Sequence, residues 1–211
     1  MLRDSKIKYE IKLILVGDSG VGKTSLLGRY MNEPFTEKKC TIFHDFKIKI
    51  INFDSSTQII LTIWDTCGQE KYRSLNKLFF NDVKGIVLMY DVSDKKSFQN
   101  LDKWLNDISE HIIKEDVAIV LCGNKIDIKP RNISYEEGYK YAIKNDMLYC
   151  ETSSKEGINI DIVFENAIKN IIEKINVEKK FEEEIAKNTS ISTSLRAVRG
   201  KEIREKERNC C

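Results

Sequence analysis

The sequence lacks long apolar runs and an excess of either charge. No apolar stretch approaches the ~20 residues that cross a bilayer, and the start, MLRDSKIKYE, has no apolar signal core. The 35 basic and 33 acidic residues give a net charge of +2, far from the basic face of a nucleic-acid-binding protein. These absences predict no secretion, no membrane-spanning helix and no nucleic-acid partner.

Of the six cysteines, the four within the body of the chain, Cys40, Cys67, Cys122 and Cys150, lack the spacings of a zinc site or a disulfide framework. Cys122 and Cys150 end apolar runs and are predicted to be buried thiols, as expected of a protein in a reducing, cytosolic setting. Two others, Cys210 and Cys211, are the last residues of the chain. Their place at an exposed end calls for a separate explanation.

Apolar runs typical of strands alternate with amphipathic segments. The chain offers the runs IKLILV, HDFKIKIINF, QIILTIW, GIVLMYDV, AIVLCGNK and MLYCET, and the second and third are joined by the turn DSST. Because helical segments separate the later runs, we expect a mostly parallel six-stranded sheet with one antiparallel hairpin at its edge and helices on both faces.

The helical segments carry their own start signals. In KSFQNLDKWLNDISEHI we predict one helix with Ser97 as its N-cap, and in SYEEGYKYAIKN the pair Ser134 and Glu137 predicts a capping box. A last helix follows in NIDIVFENAIKNIIEKI. From about Glu178 the apolar period fades, which predicts a domain boundary there.

The strongest motif is GDSGVGKTS, which follows a predicted strand and opens a predicted helix. In such a loop, glycines let backbone N–H groups converge on phosphate oxygens, and the helix start adds partial positive charge. Lys23 is expected to reach the β- and γ-phosphates, and Thr24 to ligate Mg²⁺. The other predicted phosphate-loop residues are Ser19, Gly20, Val21, Gly22 and Ser25.

Two further motifs follow strands and select the base. In GNKID, the Asp127 carboxylate can accept hydrogen bonds from N1–H and the amino group of guanine, a donor pair that adenine lacks. Asn124 and Lys125 are expected to hold this loop and flank the ring. In ETSSK, the residues Ser153, Ser154 and Lys155 offer backbone N–H groups and an aliphatic stem. Both motifs argue against an ATPase or a nucleotide kinase.

The segment WDTCGQE supplies the remaining chemistry. Asp65 ends a predicted strand, where it can hold Mg²⁺ through water. Gly68 can donate its N–H to the γ-phosphate, and Gln69 is predicted to be catalytic by orienting the attacking water.

Together these motifs resemble the Ras superfamily, and WDTCGQEKYRSLNKLFF and GIVLMYDVSDKKSFQNLDKW are similar to its Rab branch. The resemblance implies a P-loop NTPase fold of the small G-domain type over residues 8–176, followed by a flexible tail over 177–211. It implies a monomer that binds GTP or GDP with Mg²⁺ and hydrolyses GTP slowly unless an activating protein helps.

The same resemblance assigns further residues. Phe35 lies where the family places an aromatic ring against guanine, and Thr41 where it places a switch I threonine that binds Mg²⁺ and the γ-phosphate. Phe46, Trp64 and Phe79 match the aromatic triad read by effectors, although core packing is an alternative for them.

Switch I departs from the family pattern. The chain reads TIFHDF, with Phe43 and His44 where Rab proteins have glycine and an aliphatic residue. Two functions therefore stay open: a switch that regulates vesicle traffic, and a GTPase-shaped scaffold that binds nucleotide without switching.

The terminal Cys210 and Cys211 resemble the double geranylgeranylation site of Rab proteins. Arg208 stands where a CaaX signal needs cysteine, which excludes that route. Two lipid chains suffice for stable anchoring where one does not. The resemblance implies residence on the cytoplasmic face of an intracellular membrane, a cytosolic pool held by prenyl-carrier (GDI or escort) proteins, and regulation by exchange factors, activating proteins and effectors.

Overall fold

The protein is described by a computed structural model that covers residues 7–36, 45–66, 80–113 and 117–177. Six strands form one sheet in the order β2-β3-β1-β4-β5-β6, parallel except for the antiparallel pair of β2 and β3 at one edge. This confirms the predicted sheet. The strands are β1 (Ile7–Gly17), β2 (Asp45–Asn52), β3 (Thr57–Asp65), β4 (Val83–Asp91), β5 (Ala118–Asn124) and β6 (Leu148–Glu151).

The central strands are buried on both sides, as expected for parallel strands between helices. On one side Ile14 packs in a cluster with Trp104, Ile108 and Ala142. On the other side Leu13 lies near Ile171, and both approach the backbone of Gly85. The helices in the described ranges are α1 (Lys23–Tyr30), α2 (Lys95–Gln99), α3 (Leu101–Ser109), α4 (Tyr135–Lys144) and α5 (residues 160–177).

The edge strand β2 keeps its predicted period of two but turns its apolar side chains outward. Phe46, Ile48 and Ile50 on β2 are all exposed, while Lys47 and Lys49 on the other face are partly buried. The hydrophobic pattern therefore gives the strand but not the direction of its apolar face.

One helix start was predicted wrongly. Ser97 lies inside α2, where its hydroxyl donates to the Asp94 carbonyl (2.8 Å) and accepts from the Asp91 N–H (3.0 Å). Asp94 caps the helix instead, its carboxylate accepting from the Lys96 N–H at 2.9 Å. Because aspartate is as good an N-cap as serine, the earlier residue starts the helix. The segment also forms two helices, α2 and α3, rather than one.

The capping box of α4 is confirmed. The Glu137 N–H donates to the Ser134 hydroxyl at 3.2 Å, and the Ser134 N–H donates to the Glu137 carboxylate at 2.8 Å. This fixes the start of α4 beside the sheet edge.

The predicted burial of two thiols is also confirmed. Cys122 on β5 and Cys150 on β6 are buried, unbridged register partners on adjacent strands. The hydrogen bond to Cys122 and burial raise the pKa of the Cys150 thiol. Both cysteines therefore serve as small core residues.

The chain separates into two units, residues 1–171 and 172–211. In the second unit the described residues, 172–177, are helical. Among the described residues, no helix has the length and apolar character needed to cross a membrane. The functional boundary at 176/177 stays a prediction.

Candidate functional site

Two glycines of the loop between β1 and α1 combine a positive φ with a close neighbour that leaves no room for a Cβ. Gly17 has φ of 143° and Gly22 has φ of 100°, both in the region that other residues rarely adopt. A Cβ at Gly17 would overlap the Met89 carbonyl on β4, and one at Gly22 would overlap the Asn124 side-chain amide. The loop is thus folded tightly onto the carboxyl ends of β4 and β5.

Lys23 is buried at the start of α1, within the curl of this loop. Its ammonium donates to the carbonyls of Gly17 at 2.8 Å and Asp18 at 2.9 Å. The Lys23 ammonium and the N-terminus of α1 therefore lie together at the same loop. This arrangement suits a phosphate group.

Thr24 and Asp65 come together from elements far apart in sequence. The Thr24 hydroxyl donates to Asp65 Oδ2, and Asp65 is buried at the last position of β3. Hydroxyl and carboxylate oxygens beside a phosphate loop are the ligands that Mg²⁺ takes in nucleotide sites. The donor set fits that ion, and Mg²⁺ bound there would neutralise charge on the β- and γ-phosphates.

Asn124, at the end of β5, joins the predicted phosphate loop to the ETSSK segment that follows β6. Its side-chain amide is buried and donates to the Val21 carbonyl at 2.8 Å. Its carbonyl oxygen accepts from the Thr152 hydroxyl at 2.9 Å and from the Ser154 N–H and hydroxyl, both at 3.1 Å. One side chain therefore fixes the distance between the two halves of the site.

The two predicted base motifs meet directly. Ser153 is buried and its hydroxyl donates to Asp127 Oδ1 at 2.5 Å. Lys125 has φ of 68° and its ammonium lies 2.7 Å from the Asp91 carboxylate at the end of β4. Asp127 and Lys125 are each held by a residue at or just after the end of a neighbouring strand.

Comparison with known proteins decides the family. A model of the Ras family matches residues 12–173. The chain is 38% identical to Ras-related protein Rab-18 of Lymnaea stagnalis over 82% of this chain and 85% of that protein. It is 41% identical to GTP-binding protein ypt2 of Schizosaccharomyces pombe (82% and 87% covered) and to Ras-related protein Rab-8B of Pongo abelii (80% and 81% covered).

The chain belongs to the Rab family of small GTPases. It therefore binds guanine nucleotide, hydrolyses GTP and acts in intracellular membrane traffic. The Rab assignment agrees with a site in which phosphate loop, Asp65 and both base motifs gather at the carboxyl ends of the sheet strands, where open α/β sheets bind ligands.

Some predicted residues of this Rab lie at the edge of the site or outside the described residues. Phe35 is partly buried beyond the end of α1, and Lys155 is exposed after β6. The residues Thr41, Gly68, Gln69, Phe79, Cys210 and Cys211 fall outside the described ranges, and their roles stay predictions.

Sequence reasoning missed two residues that hold this Rab's site together. Asp91 pairs with Lys125, and the Thr66 hydroxyl donates to the Leu15 carbonyl at 2.6 Å, fixing the chain after Asp65 to β1. Asp91 stands in YDVSD, next to a strand end, and that position was a signal available in the sequence.

Proposed function

We propose that this Rab is a membrane-tethered molecular switch that recruits effectors when it holds GTP and releases them after hydrolysis. Exchange factors and activating proteins would set its state. Thr41 and Gly68 would both be held by the γ-phosphate, and the loss of that group on hydrolysis would let both segments relax.

The arrangement of β3 supports this proposal most directly. Trp64 and Asp65 are consecutive, so their side chains point to opposite faces of the strand. Asp65 is buried against Thr24, while Trp64 stacks on the exposed ring of Phe46 with the ring centres 5.0 Å apart. Trp64 is partly buried and also packs against the core cluster, so a change at the nucleotide is one residue away from a side chain that joins the core to the exposed Phe46 ring, which a partner can cover.

Hydrolysis would rest on positioning and charge stabilisation rather than on covalent chemistry by the protein. Lys23 and the loop amides would hold the β- and γ-phosphates, and Gln69 would orient the attacking water. Because the sequence motifs place no arginine at the γ-phosphate, intrinsic turnover should be slow.

Replacing Gln69 with leucine should remove most of the stimulation by an activating protein, which reaches about 10⁵-fold in Ras. Single-turnover GTP hydrolysis with and without a purified Rab-activating domain measures this. Gln58→Leu, the same exchange on β3, is the matched control and should respond like the wild type. Full stimulation of Gln69→Leu would exclude the role.

The tether is proposed from Cys210 and Cys211 together with the Rab family membership. Two geranylgeranyl chains would give stable membrane residence, and carrier proteins would hold a cytosolic pool. The intact mass of the chain isolated from membranes should show two prenyl additions. An unmodified mass in the membrane fraction would contradict the tether.

Hydrogen exchange tests switching itself. The protein loaded with a non-hydrolysable GTP analogue should exchange more slowly than the GDP form across residues 37–44 and 67–79, while β5 stays unchanged. Equal exchange in both forms, with nucleotide bound in each, would identify a scaffold that does not switch.

A further inference from the structure

The phosphate loop of this GTPase contains an acid, Asp18, directly after Gly17. A carboxylate beside a phosphate site repels the ligand unless its charge is directed elsewhere. Here the carboxylate faces α3 and its preceding residue: Oδ2 accepts from the Asn100 side-chain amide at 2.6 Å, and Oδ1 accepts from the Trp104 indole N–H at 2.8 Å. Each carboxylate oxygen thus accepts a hydrogen bond from a neutral side chain outside the loop.

The two donors of Asp18 are buried side chains that lie side by side. Asn100 and Trp104 are each only 5% exposed. They lie four residues apart, on one face of the helix, and the backbone N–H of Trp104 donates to the backbone carbonyl of Asn100 at 3.2 Å. Asn100 occupies the N-cap position of α3 without a side-chain capping bond. Its side-chain N–H₂ group donates to the Asp18 carboxylate.

Asp18 is also bonded to Lys23, the predicted phosphate-binding residue. Its carbonyl accepts from the Lys23 ammonium at 2.9 Å. At the other end of the loop, the Val21 carbonyl is held by Asn124. The loop is therefore fastened at two points, by β5 through Val21 and by α3 through Asp18.

We propose that Asn100 and Trp104 are positioning residues for phosphate binding that act through Asp18. They hold the first half of the phosphate loop in its binding shape and keep the Asp18 charge turned away from the nucleotide. Neither residue belongs to the loop, and neither needs to touch the ligand. The proposal rests on guanine-nucleotide binding, which family membership already establishes, and not on switching or tethering.

The phosphate dependence of the effect separates positioning from general stability. Trp104→Phe keeps one aromatic ring but removes the N–H donor together with the pyrrole part of the buried indole, and Asn100→Ala removes the other donor without touching the indole. Because a hydrogen bond to a charged group is among the stronger ones, each change should speed release of fluorescent GDP about tenfold. Affinity for GMP, which lacks the β-phosphate that Lys23 reaches, should change less than about twofold.

The matched control removes a hydrogen bond to another carboxylate of α3, that of Asp102. Tyr141 on α4 donates its hydroxyl to the Asp102 carboxylate at 2.7 Å, so Tyr141→Phe also removes one donor from a carboxylate at α3. It should leave GDP release at the wild-type rate. A similar acceleration in Tyr141→Phe would mean that any loosening of α3 is enough, and would overturn the proposal.

A double substitution tests whether the effect passes through Asp18. In an Asp18→Ala background, Trp104→Phe should change GDP release less than about twofold, since its acceptor is gone. An undiminished tenfold effect there, or equal losses of GDP and GMP affinity in the single variants, would contradict the assignment. If Trp104→Phe folds poorly, the pair Asn100→Ala and Asp18→Ala gives the same comparison.

Discussion

Replacing Asp127 with asparagine should change the base that this Rab prefers from guanine to xanthine. The Asp127 carboxylate can accept from N1–H and the amino group of guanine. Asparagine keeps one acceptor and presents an N–H₂ group that opposes the guanine amine but complements the carbonyl of xanthine. Because hydrogen bonds to a charged group are lost, GTP affinity should fall on the order of 10²–10³-fold.

The Asp127→Asn exchange tests base recognition specifically because it can keep the hydrogen bond that holds this side chain. The Ser153 hydroxyl donates to Asp127 Oδ1, and asparagine retains an oxygen that can accept that bond. Titration with GDP and xanthosine diphosphate measures the preference. Asp54→Asn, the same exchange in the exposed turn between β2 and β3, is the control and should keep wild-type GDP affinity. Unchanged guanine preference in Asp127→Asn would remove Asp127 from base recognition.

Replacing Asn124 with alanine should weaken both the fold and nucleotide binding. The change leaves the Val21 carbonyl, the Thr152 hydroxyl and the Ser154 N–H without this partner in a buried setting. Each lost buried hydrogen bond costs about 1–3 kcal/mol. GDP release should therefore accelerate at least about 10²-fold, and the melting temperature of the GDP complex should fall.

Asn132 provides the comparison for this variant. It is exposed, and its side-chain amide donates to the Ser93 carbonyl at 2.5 Å. Asn132→Ala should leave GDP release within about twofold of the wild type. Wild-type release in Asn124→Ala would mean that the two loops keep their spacing without this side chain.

Local motifs explain why much of the site was predictable. The phosphate loop requires its glycines, Lys23 and Thr24 within a few consecutive residues, and the following helix is part of the signal. The capping box of α4 and the end of β3 at Asp65 can likewise be predicted from a few consecutive residues. Each of these depends on neighbours in sequence, which a single chain displays.

Contacts between distant segments could not be predicted where no motif marks the residues involved. Asp18 and Asn100 are separated by 82 positions, and no pattern in FQNLDKWL marks the amide or the indole as a partner of the phosphate loop. The outward direction of Phe46 on β2 was equally undetermined, since alternation is the same for either face. Ser97 failed as an N-cap because Asp94 competes for the same role a few residues earlier.

The nucleotide that copurifies with the protein tests the central claim most directly. The chain, purified with Mg²⁺ and without added nucleotide, is denatured and the released small molecules are quantified by chromatography and mass. Guanine-nucleotide binding in the loop of Gly17, Lys23 and Thr24 predicts about one equivalent of guanine nucleotide per chain, mostly GDP. An adenine nucleotide in that amount, or a folded protein that neither carries nor binds any nucleotide, would contradict the account.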